Sequence, residues 1–167
     1  MSSTAIKHAA VLVTGAFAIC GTAGAESAQS VVARLYKDFA WQALSSQSEL
    51  FGDVLSHQKK TVLDRYFSPD LTALFLQDES CQSKTKEICS LDFDPLFASQ
   101  DPGATDLEIG EAKSNTVPVE FKSSIGSAKV QLDFKMTMIA GAWKITDIIY
   151  TGMNKASLRK ILSKRSQ

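Results

Sequence analysis

From Lys129 to Met138 the chain alternates without a break. Val130, Leu132, Phe134, Met136 and Met138 hold one phase; Lys129, Gln131, Asp133, Lys135 and Thr137 hold the other. A period of two sustained over ten residues fits a half-buried strand and does not fit a helix. One face of such a strand is dry, so the fold must supply a layer to cover it. Neighbouring stretches share the habit. Leu107 and Ile109 alternate with charges, and Val117, Val119 and Phe121 alternate with Pro118, Glu120 and Lys122. Ala140-Gly141 turns the chain into a further strand, Trp143 to Tyr150, and Ser123 to Ser127 makes the preceding turn. Pro118 has no backbone N–H, which argues for an edge strand or a bulge at that point.

The first half has a different period. Over residues 27–44, Val31, Val32, Leu35, Phe39 and Ala43 recur at helical spacing, with Arg34, Lys37 and Asp38 on the wet side. Leu50 to Val54 is a short ambiguous link, and residues 57–67 suggest a brief helix. Ser68-Pro69 restarts the chain, because serine caps a helix and proline suits its first turn. Leu71, Leu74 and Phe75 give that helix an inward stripe, predicted to end near Glu79. Leu91 to Thr105 has no period and reads as an ordered loop. A short basic helix is expected from about Asn154. Helices first and about four meandering antiparallel strands second describe one α+β domain with segregated layers, the helices covering the curved sheet.

Residues 1–25 read as an address. Lys7 and His8 form a weakly basic start, and Ala9 to Cys20 is apolar apart from Thr14 and Gly15. Ala23-Gly24-Ala25 then supplies small residues for a signal peptidase. The apolar run is too short for a membrane span, which takes about 20 residues. Cleavage after Ala25 would leave residues 26–167 as an exported domain, in a Gram-negative cell a periplasmic one. Lipidation at Cys20 is the weaker alternative, because Ile19 stands where lipoprotein processing wants a small residue.

In an oxidising compartment Cys81 and Cys89 are best read as a disulfide. Closing so short a loop is worth about 2–3 kcal/mol through chain entropy. A redox pair normally has two intervening residues rather than seven. A zinc site needs about four ligands, and His57, read as a surface residue, is the one histidine after residue 25.

Several stretches together resemble a known bacterial family: VVARLYKDFAW (31–41), LDRYFSPDLTALF (63–75), the paired cysteines, LDFDPLFASQD (91–101), and AWKITDIIY followed by LRKIL (142–162). They resemble the domain of unknown function 3828 family. That resemblance implies export and a nuclear transport factor 2-like or cystatin-like cone, a curved sheet wrapped on a helix. It supplies no catalytic residues, since the family carries no agreed activity, and such cones serve enzymes and binding modules alike. By the same analogy a homodimer through the open sheet face is possible.

The chemistry is sparse. On the last strand Trp143, Ile145, Asp147 and Ile149 share a phase, which would carry Asp147 inward. A buried aspartate there would have a raised pKa and could act as acid or base, with Tyr36, Tyr66 or Tyr150 beside it. The favoured alternative is a bulge that switches phase, or an Asp147 that accepts backbone hydrogen bonds. Asp92, Asp94 and Asp101, with Gln100 nearby, could hold calcium but lack EF-hand spacing; Asx-turns explain such aspartates more often. Lys155, Arg159, Lys160, Lys164 and Arg165 make a basic C-terminal segment. It either complements a helix dipole or forms a patch for an acidic partner or anionic lipid. Lys+Arg and Asp+Glu balance at 18 each, which gives no electrostatic case for nucleic acid. No cofactor or metal is expected. The residues favour a non-catalytic exported module for a protein or small ligand, in its narrowest form an immunity-type protein. The alternative is a small-molecule enzyme or carrier working in the cone with Asp147.

Overall fold

The computed structural model describes residues 26–45 and 48–164. The expected signal segment, its cleavage point after Ala25, Cys20 and Arg165 all lie outside the described residues.

Helix α1 (Ala28–Phe39) starts where Ser27 accepts a hydrogen bond from the Ser30 N–H at 3.1 Å. Its buried stripe is Val31, Val32, Leu35, Tyr36 and Phe39, four of which are apolar residues at helical spacing. A 3₁₀ turn (Ala40–Ala43) follows, then the one-turn helix α2 (Ser48–Phe51), a second 3₁₀ turn (Leu55–His57) and α3 (Lys60–Leu63). Helix α4 (Pro69–Thr85) begins as the Ser-Pro pair predicts, with Ser68 accepting from the Leu71 N–H and Pro69 in the first turn.

Helix α4 outruns its apolar stripe. It continues past Glu79 through Cys81 to Thr85, and closes on Lys86 in the left-handed region (φ 62°). The extra turns are held by polar i,i+4 contacts, Gln82 to Asp78 and Ser83 to Glu79, each at 2.8 Å. Hydrophobic periodicity does not report such contacts.

The sheet is a five-stranded antiparallel meander in the order β1 (Ala104–Ile109), β2 (Thr116–Ser123), β3 (Lys129–Ile139), β4 (Ala142–Tyr150) and β5 (Ala156–Ser157). The fifth strand has only two residues, too few for a periodic signal, and leads straight into α5 (Leu158–Leu162). Strand β2 is interior, not an edge. The irregularity lies in its neighbour β1, between Thr105 and Glu108. The Pro118 carbonyl accepts from the Gly110 N–H just beyond the last β1 pair, so its missing donor falls at the end of a ladder.

Between β3 and β4 the register shifts. Lys135 faces Asp147 and Met136 faces Ile145, which leaves Thr146 as the extra residue of a bulge. Before it Ile145 is buried; beyond it Ile148 and Tyr150 are. The bulge therefore reverses the phase of β4.

The core lies between α1, the 63–75 segment and the inner face of the sheet, where Val117, Val119, Phe121, Leu132, Phe134 and Met136 are buried. Residues 66–68 run along β4, with backbone bonds from Ile145 N to Tyr66 O and from Ser68 N to Ile145 O. The opposite face of β3 carries Gln131, Asp133, Lys135 and Thr137. A homodimer through that face would have to bury ionised groups. No helix among the described residues is long and apolar enough to cross a membrane.

Candidate functional site

The segment after the staple decides what the inside of this fold can do. Cys81, near the end of α4, is bonded to Cys89 with Cα atoms 6.2 Å apart. Buried Asp78 then accepts from the Ser90 N–H at 2.7 Å, so the chain leaves the staple in a fixed direction. The following LDFDPLF turns inward, with Leu91, Leu96 and Phe97 buried. Phe97 packs edge-on against Tyr36 at 5.9 Å and Phe121 at 5.7 Å, while Phe93 meets Tyr150 at 5.2 Å.

Two tyrosines bolt this plug in place. Tyr36 Oη donates to the Leu96 carbonyl at 2.8 Å, and Tyr150 Oη donates to the Pro95 carbonyl at 3.1 Å. Burial pushes both phenols well above their ordinary pKa; the Asp94 charge adds to the rise in each. Both hold their protons at neutral pH, as structural donors.

Asp94 organises the turn itself. Its Oδ1 accepts from the Leu96 N–H at 2.8 Å and from Phe97 N–H at 3.2 Å, an Asx-type arrangement. Its Oδ2 accepts from Gln42 Nε2 at 2.8 Å, and Gln42 Oε1 in turn accepts from the Leu55 N–H at 2.5 Å. Desolvation raises the Asp94 pKa to about 6 against the pull of its two backbone donors.

Asp147 is not in the core. The Thr146 bulge turns it outward from the phase its position suggests. There it accepts from Ser157 Oγ at 2.6 Å, from the Arg159 N–H at 2.9 Å and from its neighbour Ile148 N–H at 2.8 Å. It ties β4 to the start of α5, as the backbone-acceptor alternative anticipates. Tyr66 is elsewhere again. It donates to Asp38 and lies between the Arg34 and Arg65 guanidiniums, 4.9 and 5.4 Å from its ring centre. Burial, with the Asp38 bond second, pushes its phenol up to about 12. The four residues that an interior acid–base site would need are thus split between three places. Only Tyr36 and Tyr150 serve the same region.

The aspartates of the 91–101 loop separate as well. Asp94 turns toward the core, while Asp92 and Asp101 stay exposed. No group of acids, histidines or cysteines among the described residues could hold a metal ion. In the basic segment Arg159 pairs with Asp70 at 3.2 Å, and Lys155, Lys160 and Lys164 are exposed.

A large concavity lies on the outer side of the plug. It is an open groove of about 800 Å³ walled by residues 41–45, by residues of the 48–57 segment and by residues of the 88–102 segment. Trp41, Leu44, Ile88 and Phe93 supply apolar surface, and Asp53, Asp92, Asp94 and Asp101 supply acid. Exposed His57 lies on its wall, the surface position expected of it. Sequence reasoning did not find this groove. Asp53, Ile88 and Trp41 belong to three separate segments, and only the fold brings them together.

The molecule belongs to the α+β class, with its helices on one face of an antiparallel meander. Comparisons with protein-family models, with curated proteins and with solved structures give no match.

Proposed function

We propose that this chain is an exported, non-catalytic binding or interaction module built on a nuclear transport factor 2-like cone. An immunity-type protein that blocks a delivered toxin is its narrowest form. The carrying observation is the plug. Leu96 and Phe97 occupy the space between α1 and the sheet where an enzyme of this shape would keep its substrate, and the polar groups there are paired. The residue that the enzyme alternative needs inside, Asp147, caps α5 instead. Export is supported by the leader-like sequence and by the staple, which belongs in an oxidising compartment.

Two measurements test the reading. The intact mass of native protein from the exported fraction should correspond to a chain beginning at Glu26 with Cys81 and Cys89 oxidised. An untrimmed start or two free thiols removes the export half. Small apolar molecules such as benzene or indole enter preformed dry cavities. Titrated in, they should leave the NMR signals of Tyr36, Phe97 and Phe134 unmoved. Saturable shifts there would restore an interior ligand site and remove the other half.

A further inference from the structure

The outer groove carries more information than a concavity alone. Its apolar lining is unusually bare: Leu44 is 83% exposed and Ile88 66% exposed. Its lining residue Trp41 stacks on Phe51 with ring centres 5.3 Å apart, and Phe51, just outside the lining, is itself 52% exposed. Exposed apolar side chains gathered in one concavity mark a surface built to be covered.

The charge is equally one-sided. The protein as a whole balances acid and base, yet four aspartates and no lysine or arginine are among the described residues lining the groove. Asp94 is committed to the plug. The carboxylates of Asp53, Asp92 and Asp101 make no ion pair among the described residues, whereas Asp38, Asp64, Asp70, Asp106 and Asp133 each have a basic partner. Lys86 lies in an adjoining depression, where Glu79 and Glu87 offset it.

We infer that this groove docks a cationic, amphipathic segment of another protein, its apolar side chains seated on Trp41, Ile88 and Phe93 and its lysines or arginines meeting Asp53, Asp92 and Asp101. Charge complementarity selects this occupant. An anionic lipid surface or an acidic peptide would be repelled. A second copy of this chain is disfavoured, because its own basic amphipathic segment, α5, has Leu158 and Leu162 already buried. The inference rests on the binding-module reading and names the partner chemistry for it.

The test uses the oxidised chain from Glu26 onward at near-physiological salt, followed by amide NMR and by sedimentation. Three short synthetic peptides serve as probes: one alternating leucine with lysine, one with glutamate replacing lysine, and one with serine replacing leucine. The leucine–lysine peptide should bind saturably and shift Trp41, Ile88 and Phe93. The other two should bind at least about tenfold more weakly. Asp92→Asn with Asp101→Asn should weaken the leucine–lysine peptide about tenfold at unchanged Tm, while Glu108→Gln with Glu111→Gln should leave it unchanged. Equal binding of the glutamate or serine peptide overturns the proposal. So do equal affinity of the Asp92/Asp101 variant, shifts confined to Lys155–Lys164, self-association through the groove, and no binding. Binding at α5 would sink the groove assignment while leaving the binding-module reading standing. Benzene entering the core would sink that reading without touching the groove.

Discussion

On its inner side the 91–102 segment presents Leu96 and Phe97 to a ring of aromatic side chains, and its carbonyls at 95 and 96 are claimed by Tyr150 and Tyr36. On its outer side the same segment shows Asp92 and Asp101, exposed and without an ion pair among the described residues. A few residues of chain therefore separate a region where each group serves stability from one where several serve none. Fold stability accounts for the first pattern. It does not account for the second, which places recognition on the outside and not in the filled space between α1 and the sheet.

The difference can be broken most forcefully from the inside. Phe97→Ala removes a ring that touches Tyr36 and Phe121 and should cost about 3–5 kcal/mol in urea denaturation. A loss below about 1 kcal/mol would mean that the plug is not part of the core.

The staple comes next. Replacing Cys81 and Cys89 by serine together should cost about 2–3 kcal/mol by the same assay, because the cross-link restrains the unfolded chain. An unchanged midpoint would show that Asp78 and its bond to Ser90 already fix the segment.

Asp94 stands on the border of the two regions and gives the comparison a pH axis. Its folded pKa of about 6 lies above the ordinary carboxyl value of 3.8. The folded state therefore holds this proton more tightly than the unfolded one. Its contribution to stability is full below about pH 4 and is lost as pH rises through about 6, a change of roughly 2–3 kcal/mol. Wild type minus Asp94→Asn, measured in urea at pH 4 and pH 7, should shrink at the higher pH by that amount. Parallel pH profiles would show that Asp94 does not titrate in this window.

The smallest effect belongs to the groove. Asp92→Asn with Asp101→Asn should change stability by no more than about 0.5 kcal/mol, because neither carboxylate has an ion-pair partner among the described residues. A larger loss would give these acids a structural role and erase the contrast between the two sides.

Much of the architecture was legible from hydrophobic spacing. The inward positions of α1 and those of β3 from Leu132 to Met136 follow directly from periods near 3.6 and 2, and the start of α4 follows from Ser68-Pro69; Met138, in the same phase of β3, is exposed because it lies beyond the layer that covers the strand. Other features escaped for identifiable reasons. The last turns of α4 rest on polar contacts, β5 is too short for a period, and a one-residue bulge at Thr146 reversed the phase that would have carried Asp147 inward. The site was the least legible part. The loop aspartates were visible as a cluster, but their division into Asp94 within and Asp92 and Asp101 without depends on which side of the plug each one falls.

The sequence alone determined the layer order, helices and then a meander, and made Cys81 with Cys89 the expected pair, which the structure joins. Both follow from local periodicity and from spacing along the chain, which survive without knowledge of long-range contacts. Tertiary structure alone decided that the space between α1 and the sheet is filled, that Asp147 is a cap, and that Trp41, Asp53, Ile88 and Asp101 share one groove. Those outcomes depend on side chains far apart in sequence competing for the same space, and no local pattern encodes which of them wins.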